Sequence, residues 1–138
     1  MNKQILVDTN VFIYAIDQDS KFHKQAFEFL SNNDVELFTT SKNITETLVV
    51  LTRDKDLNLS TEECVKLLED ILIDIVILYP NELSLKIFYE LISKYNAKGL
   101  WLHDIEIASI ALAYGIDNIA TKNITDFSRI KEINIVEI

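Results

Sequence analysis

Short apolar runs alternate with helix-period segments along the whole chain, and this alternation most constrains what it can fold into. Ile5-Leu6-Val7, Val35 to Thr39, Ile75 to Tyr79, Asn118 to Thr121 and Ile133 to Val136 read as strands. Between them, Val11, Phe12, Ala15 and Ile16 recur at helical spacing, as do Phe22, Ala26, Phe29 and Leu30 behind Ser20, a plausible cap. A helix from Ser41 to Arg53 carries Ile44, Leu48 and Leu51 on one stripe, and its apolar neighbours predict substantial burial. Ser60 is expected to cap the next helix, whose inner face holds Cys64, Leu67, Leu68, Ile71 and Leu72. Ile87, Phe88, Leu91, Ile92 and Tyr95 mark another helix, ending around Lys98-Gly99. Asp104 then opens an Ala-rich helix that Gly115 stops. Strands separated by helices predict an α/β sandwich with a mostly parallel central sheet.

At 138 residues the chain suits a single domain over residues 1–138. Its 49% hydrophobic and 25% charged residues exclude intrinsic disorder, and two glycines with one proline exclude long flexible linkers. Unbroken apolar runs reach six residues, Val11 to Ile16, far short of the roughly 18 a membrane span needs, and no secretory signal fits the first residues. The lone Cys64, with only His23 and His103 beside it, offers neither an internal disulfide nor a zinc cage, which suits a cytoplasmic setting. A net charge of −9 argues against a general nucleic-acid coat protein. It leaves room for a nuclease whose acids bind metal.

Open α/β sheets place their sites beyond the carboxyl ends of the strands. Asp8 follows Ile5-Leu6-Val7 directly, and Asn123 and Asp126 follow the strand ending at Thr121. Asp104 stands where the connection before its helix would cross the same edge, and Glu46 interrupts an otherwise apolar helix. Each has a structural alternative: a turn at Asp8, a capping box between Asn43 and Glu46, a cap at Asp104, a turn cap at Asp126. The constellation argues further than its members, because all four can reach one edge. Two carboxylates about 4 Å apart repel by roughly 4 kcal/mol at an effective dielectric near 20, a penalty that divalent cations remove. Oxygen ligands without a His/Cys set favour Mg²⁺ or Mn²⁺, and a carboxylate-held pair of such ions suits in-line attack of water on a phosphodiester.

At these residues the chain resembles the PIN-domain nucleases, and most closely the VapC-like toxins of toxin–antitoxin pairs. The matching stretches are Val7 to Ala15, Ile44-Thr45-Glu46, His103 to Ala108 with Ala111, and Thr121-Lys122-Asn123 with Asp126-Phe127, in the family's order. The resemblance implies a three-layer α/β/α sandwich, Mg²⁺- or Mn²⁺-dependent endoribonuclease activity, a homodimer, and a cognate antitoxin that inserts a peptide into the site. It assigns metal binding to Asp8, Glu46 and Asp104, and has Thr9 and Asn10 shape the site. The last acidic position of many relatives aligns with Asn123, so either Asn123 or the nearby Asp126 completes the set. Lys122 and Arg129 flank the site and are candidates to hold RNA phosphates, beside Thr121. Trp101 and Leu102 read as packing residues.

Three other readings compete. A phosphatase of the haloacid dehalogenase type needs a second acid two residues after the first, and Asn10 cannot deliver that proton. A catalytically inactive RNA- or protein-binding module would have less reason to keep every candidate ligand. A housekeeping ribonuclease of the same family, without an antitoxin, shares every feature named here.

Overall fold

The computed structural model describes residues 2–138. Strand β1 (Lys3–Val7) leads into helices α1 (Thr9–Ile16) and α2 (His23–Leu30), then β2 (Val35–Thr40). Helices α3 (Ser41–Arg53) and α4 (Thr61–Leu72) precede β3 (Val76–Leu78), and α5 (Glu82–Tyr95) and α6 (Trp101–Ala113) precede β4 (Asn118–Ala120). The short α7 (Ile124–Phe127) and β5 (Asn134–Val136) complete the order. The strands form one five-stranded sheet in the order β3-β2-β1-β4-β5, and every pairing is parallel. The expected mostly parallel α/β sandwich is therefore the fold.

Side chains alternate across a strand, so each sheet face carries its own core. Ile5 and Val7 of β1, with Leu37 and Ala120, pack under Val11, Phe12, Ala15, Ala26 and Leu68. Leu6, with Leu78 and Ile119, packs on the other face against Leu91, Ile105, Ala108 and Phe127. Helix α6 is buried on most of its circumference, from Ile105 through Ala111, which explains its nearly unbroken apolar sequence. Its end is a Schellman arrangement: Ile116 donates its N–H to the Ala111 carbonyl and Gly115, at φ 76°, donates to Leu112.

Chain order places the reversal of winding at β1. The chain moves outward through β2 and β3, then returns to lay β4 and β5 on the other side. The crevice between the carboxyl ends of β1 and β4 is thus the topological switch point, where open α/β sheets bind ligands. Asp8 lies at that crevice, its N–H donated to the Ala120 carbonyl at 3.0 Å.

Several local expectations need correction. Ser20 caps a turn rather than a helix: its hydroxyl accepts from the Phe22 N–H, and α2 begins at His23. Helix α3 is less buried than its sequence suggests, because its inward stripe is Asn43, Thr47 and Leu51 while Val49 and Val50 face solvent. The expected inner-face Leu67 of α4 is 39% exposed, although Ser60 does cap that helix in a capping box with Glu63. Helix α5 stops at Asn96, which takes a left-handed conformation before Lys98-Gly99 is reached. Helix α6 starts at Trp101, so Asp104 lies inside its first turn instead of opening it.

Candidate metal centre

The structure shows how each of the four acids stands relative to its helix end. Asp8 is the N-cap of α1 but makes no side-chain cap hydrogen bond. Thr40, not Asn43, caps α3, so Asn43 and Glu46 form no capping box. The residue preceding α6 is Leu100, with no side-chain cap, and Asp104 projects from the helix's first turn. Asp126 lies within α7, whose N-cap is Asn123, again without a side-chain cap bond. None of these carboxylates is spent on ending a helix.

Asp8 is buried and held from two sides. The Thr121 hydroxyl donates to its Oδ2 at 2.7 Å, and the Asn43 amide donates to its Oδ1 at 3.2 Å. Asn43, fully buried, is the hub of the inner wall. It also donates to the Thr9 hydroxyl at 3.0 Å and accepts from the Thr40 hydroxyl at 2.6 Å. Thr9 in turn donates to Glu46 Oε2 at 2.9 Å, which ties α1 to α3 across the crevice. Asn10 spans the β1 and β4 ends, accepting the Lys122 N–H at 3.2 Å and lying 3.4 Å from the Thr121 hydroxyl. Sequence reasoning missed Asn43 as a site residue. Its signal was a polar pair, Asn43 and Thr47, one helical turn apart beside the apolar stripe.

The outer wall is different. Among the described residues, no hydrogen bond reaches the Asp104 carboxyl, and neither ion pair of the protein includes any of the four acids. Burial first, then the charges of Asp8, Asp126 and Glu46, push the Asp104 carboxyl from its ordinary 3.8 up to about 7. Burial likewise raises Asp8, while the Thr121 hydroxyl, the Thr9 N–H and the Asn43 amide pull it back. Asp104 therefore stands within reach of the charges of the other three acids.

As they stand, no three His, Cys, Asp or Glu side chains among the described residues converge to ligand distance on one point. The donor set still fits a hard divalent cation: oxygen donors from separate elements, mutually repelling and without a cationic partner. Asn123 sits just beyond Thr121, its N–H donated to the Thr121 hydroxyl at 2.8 Å, and its side chain is free of a capping role. Both flanking cations lie over aromatic rings. Lys122 Nζ lies 3.1 Å from the Ile138 carbonyl oxygen and 4.3 Å from the Phe22 ring centroid. Arg129 stacks on the Trp101 ring. The α7 helix that carries Asp126 has four residues, too few to show a helical period.

A parallel sheet with a polar, acid-lined crevice at its switch point defines a class of α/β proteins with a carboxylate site. The PIN domain family model matches residues 5–133, and the chain belongs to the PIN domain family. Solved structures with this fold include VapBC2 from Rickettsia felis bound to a DNA fragment from its promoter, at 22% identity over 98% of each chain with a TM-score of 0.75. DNA-bound VapBC from Salmonella typhimurium is 22% identical, covers 99% of this chain and 98% of its own, and superposes with a TM-score of 0.71. VapC20 from Mycobacterium tuberculosis, a sarcin–ricin loop cleaving toxin, is 14% identical over 90% of this chain and 93% of its own, at a TM-score of 0.70. No curated protein matches in sequence.

Proposed function

We propose that the protein is a Mg²⁺- or Mn²⁺-dependent endoribonuclease of the PIN family, acting as one unit and serving as the toxin of a toxin–antitoxin pair in the cytoplasm. The observation that supports this reading is the crevice itself: a buried Asp8 held by Thr121 and Asn43, Glu46 tied to the same network through Thr9, and Asp104 facing the charges of Asp8, Asp126 and Glu46. Membership of the PIN family supports the nuclease reading, and the toxin–antitoxin complexes among the similar structures support an antitoxin partner. No helix among the described residues is long and apolar enough to cross a membrane.

Asp8, Glu46 and Asp104 would hold the cation, with Asn123 and Asp126 completing the set. Bound there, a divalent cation would supply Lewis acidity for water and neutralise charge on the phosphodiester. The chain's own residues do the positioning. Thr121 and Asn43 fix the Asp8 carboxylate, Thr9 fixes Glu46, and Asn10 locks the end of β4 to the start of α1. We assign Asn123 to orienting the attacking water and Asp126 to a second metal position or its surroundings.

Two exposed surfaces support the partner readings. A cleft of about 760 Å³ at the amino end of the sheet, opposite the carboxylate edge, has an apolar floor of Leu30, Leu67 and Ile71 and acidic Glu36, Asp70 and Asp74, suited to a basic and apolar part of the antitoxin other than the peptide that enters the site. Exposed Tyr79, Leu85 and Tyr89, the last two one turn apart on α5, offer an apolar surface to a second copy in a homodimer. Incubating the purified protein with RNA and Mn²⁺, then repeating with EDTA, tests the activity. Cleavage that EDTA abolishes is expected; intact RNA with Mn²⁺ would leave the inactive binding module as the better reading.

A further inference from the structure

Arg129 and Trp101 form a second feature beside the carboxylate edge. The Arg129 guanidinium carbon lies 3.6 Å from the Trp101 ring centroid, the closest cation–ring contact among the described residues. The ring is fixed on its other contacts: Trp101 Nε1 donates to the Asp126 carbonyl at 3.1 Å, and Tyr95 meets it edge-on at 6.1 Å. Trp101 is almost buried, whereas Arg129 is exposed. Trp101 precedes Asp104 by about one turn on α6, and Arg129 follows Asp126 by the same interval past α7. The stacked pair therefore borders the outer wall of the site.

Stacking uses the face of a guanidinium and leaves its in-plane N–H donors free, the geometry that grips a phosphate through two parallel hydrogen bonds. Arg129 takes part in neither ion pair among the described residues. Lys122 contrasts with it, since its ammonium is already occupied by the Ile138 carbonyl and the Phe22 ring. In a chain of net charge −9, a cation seated on a buried ring beside an acidic site offers a local attraction for a phosphate.

We propose that Arg129 is a pre-organised clamp for a backbone phosphate of single-stranded RNA flanking the scissile bond, with Trp101 as the residue that positions it. This rests on the endoribonuclease reading. Trp101 is covered by Arg129 and so serves as the seat of the cation, not as a platform for a base.

The test is steady-state cleavage of a single-stranded RNA with Mn²⁺ at several KCl concentrations, for wild type, R129K, R129Q, W101F and the double variant W101F/R129K. R129K keeps the charge but loses the planar fork, so KM is expected to rise about tenfold with kcat within about twofold. R129Q should raise KM further and reduce the slope of log(kcat/KM) against log[KCl] by about 0.7 to 1. W101F keeps a ring but loses the hydrogen bond to Asp126, and should raise KM about threefold. The double variant should be no worse than R129K alone, because Trp101 acts through Arg129. The rise in melting temperature on adding Mn²⁺ should match wild type in both Arg129 variants. Wild-type KM in R129K and R129Q, independent effects of W101F and R129K, or a loss confined to kcat would each overturn the clamp while leaving the ribonuclease reading standing. No RNA cleavage by the wild type would overturn both.

Discussion

Asp8 and Asp104 stand at the same sheet edge, yet their surroundings are opposite. Asp8 is buried and accepts hydrogen bonds from Thr121 and Asn43, within a network that leaves no buried side-chain polar atom unpartnered among the described residues. Asp104 is half-exposed, receives no such bond, and faces the charges of Asp8, Asp126 and Glu46. The inner wall is a finished structure whose polar groups satisfy one another. The outer wall leaves Asp104 without such a partner. A stable fold can carry this arrangement because the repulsion falls on groups that water still reaches, where it is partly screened.

The largest effect should come from removing the charge of Asp8 while keeping its shape. In Asp8→Asn the amide can still accept from Asn43 and pair with the Thr121 hydroxyl, so the fold should persist. Cleavage of RNA with Mn²⁺ should fall by about a hundredfold or more, because the central ligand has lost its charge. Full activity in the folded variant would break the division between the walls.

Asn43→Ala tests the inner wall as structure. It leaves Asp8, Thr9 and Thr40 short of partners in a buried place, which should cost about 2–3 kcal/mol in a denaturant titration. A cost near zero would mean that the network contributes little to the fold.

On the outer side, Asp126→Asn should impair single-turnover cleavage about tenfold, less than Asp8→Asn, and Asn123→Asp should be tolerated. If Asp126→Asn is as inactive as Asp8→Asn at saturating Mn²⁺, Asp126 is a primary ligand and the order is reversed.

The smallest effect concerns pH. A carboxyl with a raised folded-state value binds its proton more tightly in the folded protein than in the unfolded chain. The Asp104 contribution is therefore intact below 3.8 and is lost as pH rises through about 7. Without metal, Asp104→Asn should exceed wild type in stability at pH 8 by about 1–2 kcal/mol, a figure reduced for solvent screening, and the gap should close by pH 4. A gap that does not change with pH would remove the repulsion from the account.

The architecture was legible because it rests on periodicity: each buried strand and amphipathic helix writes its own spacing into the sequence. Asp8 was legible for the same reason, as a charge directly after a buried strand. The surroundings of the site were harder to read. Asn43 acts by contacts with Asp8 and Thr9, far away in the chain, and no local pattern announces them. Asp104 and Asn43 resemble helix-start residues, but the caps are set by where the backbone turns, at Leu100 and Thr40. The apolar run in α3 suggested burial, yet Val49 and Val50 lie on the side away from the sheet.

The most direct test is the melting temperature of wild type, Asp8→Asn and Asp104→Asn with and without Mn²⁺ at pH 7.5. Binding to the folded site alone stabilises by about 2.7 kcal/mol at one hundred times the dissociation constant. The wild type should therefore gain several degrees, and each variant clearly less. Equal gains in all three proteins would place the cation elsewhere and contradict the assignment of this edge as a metal centre.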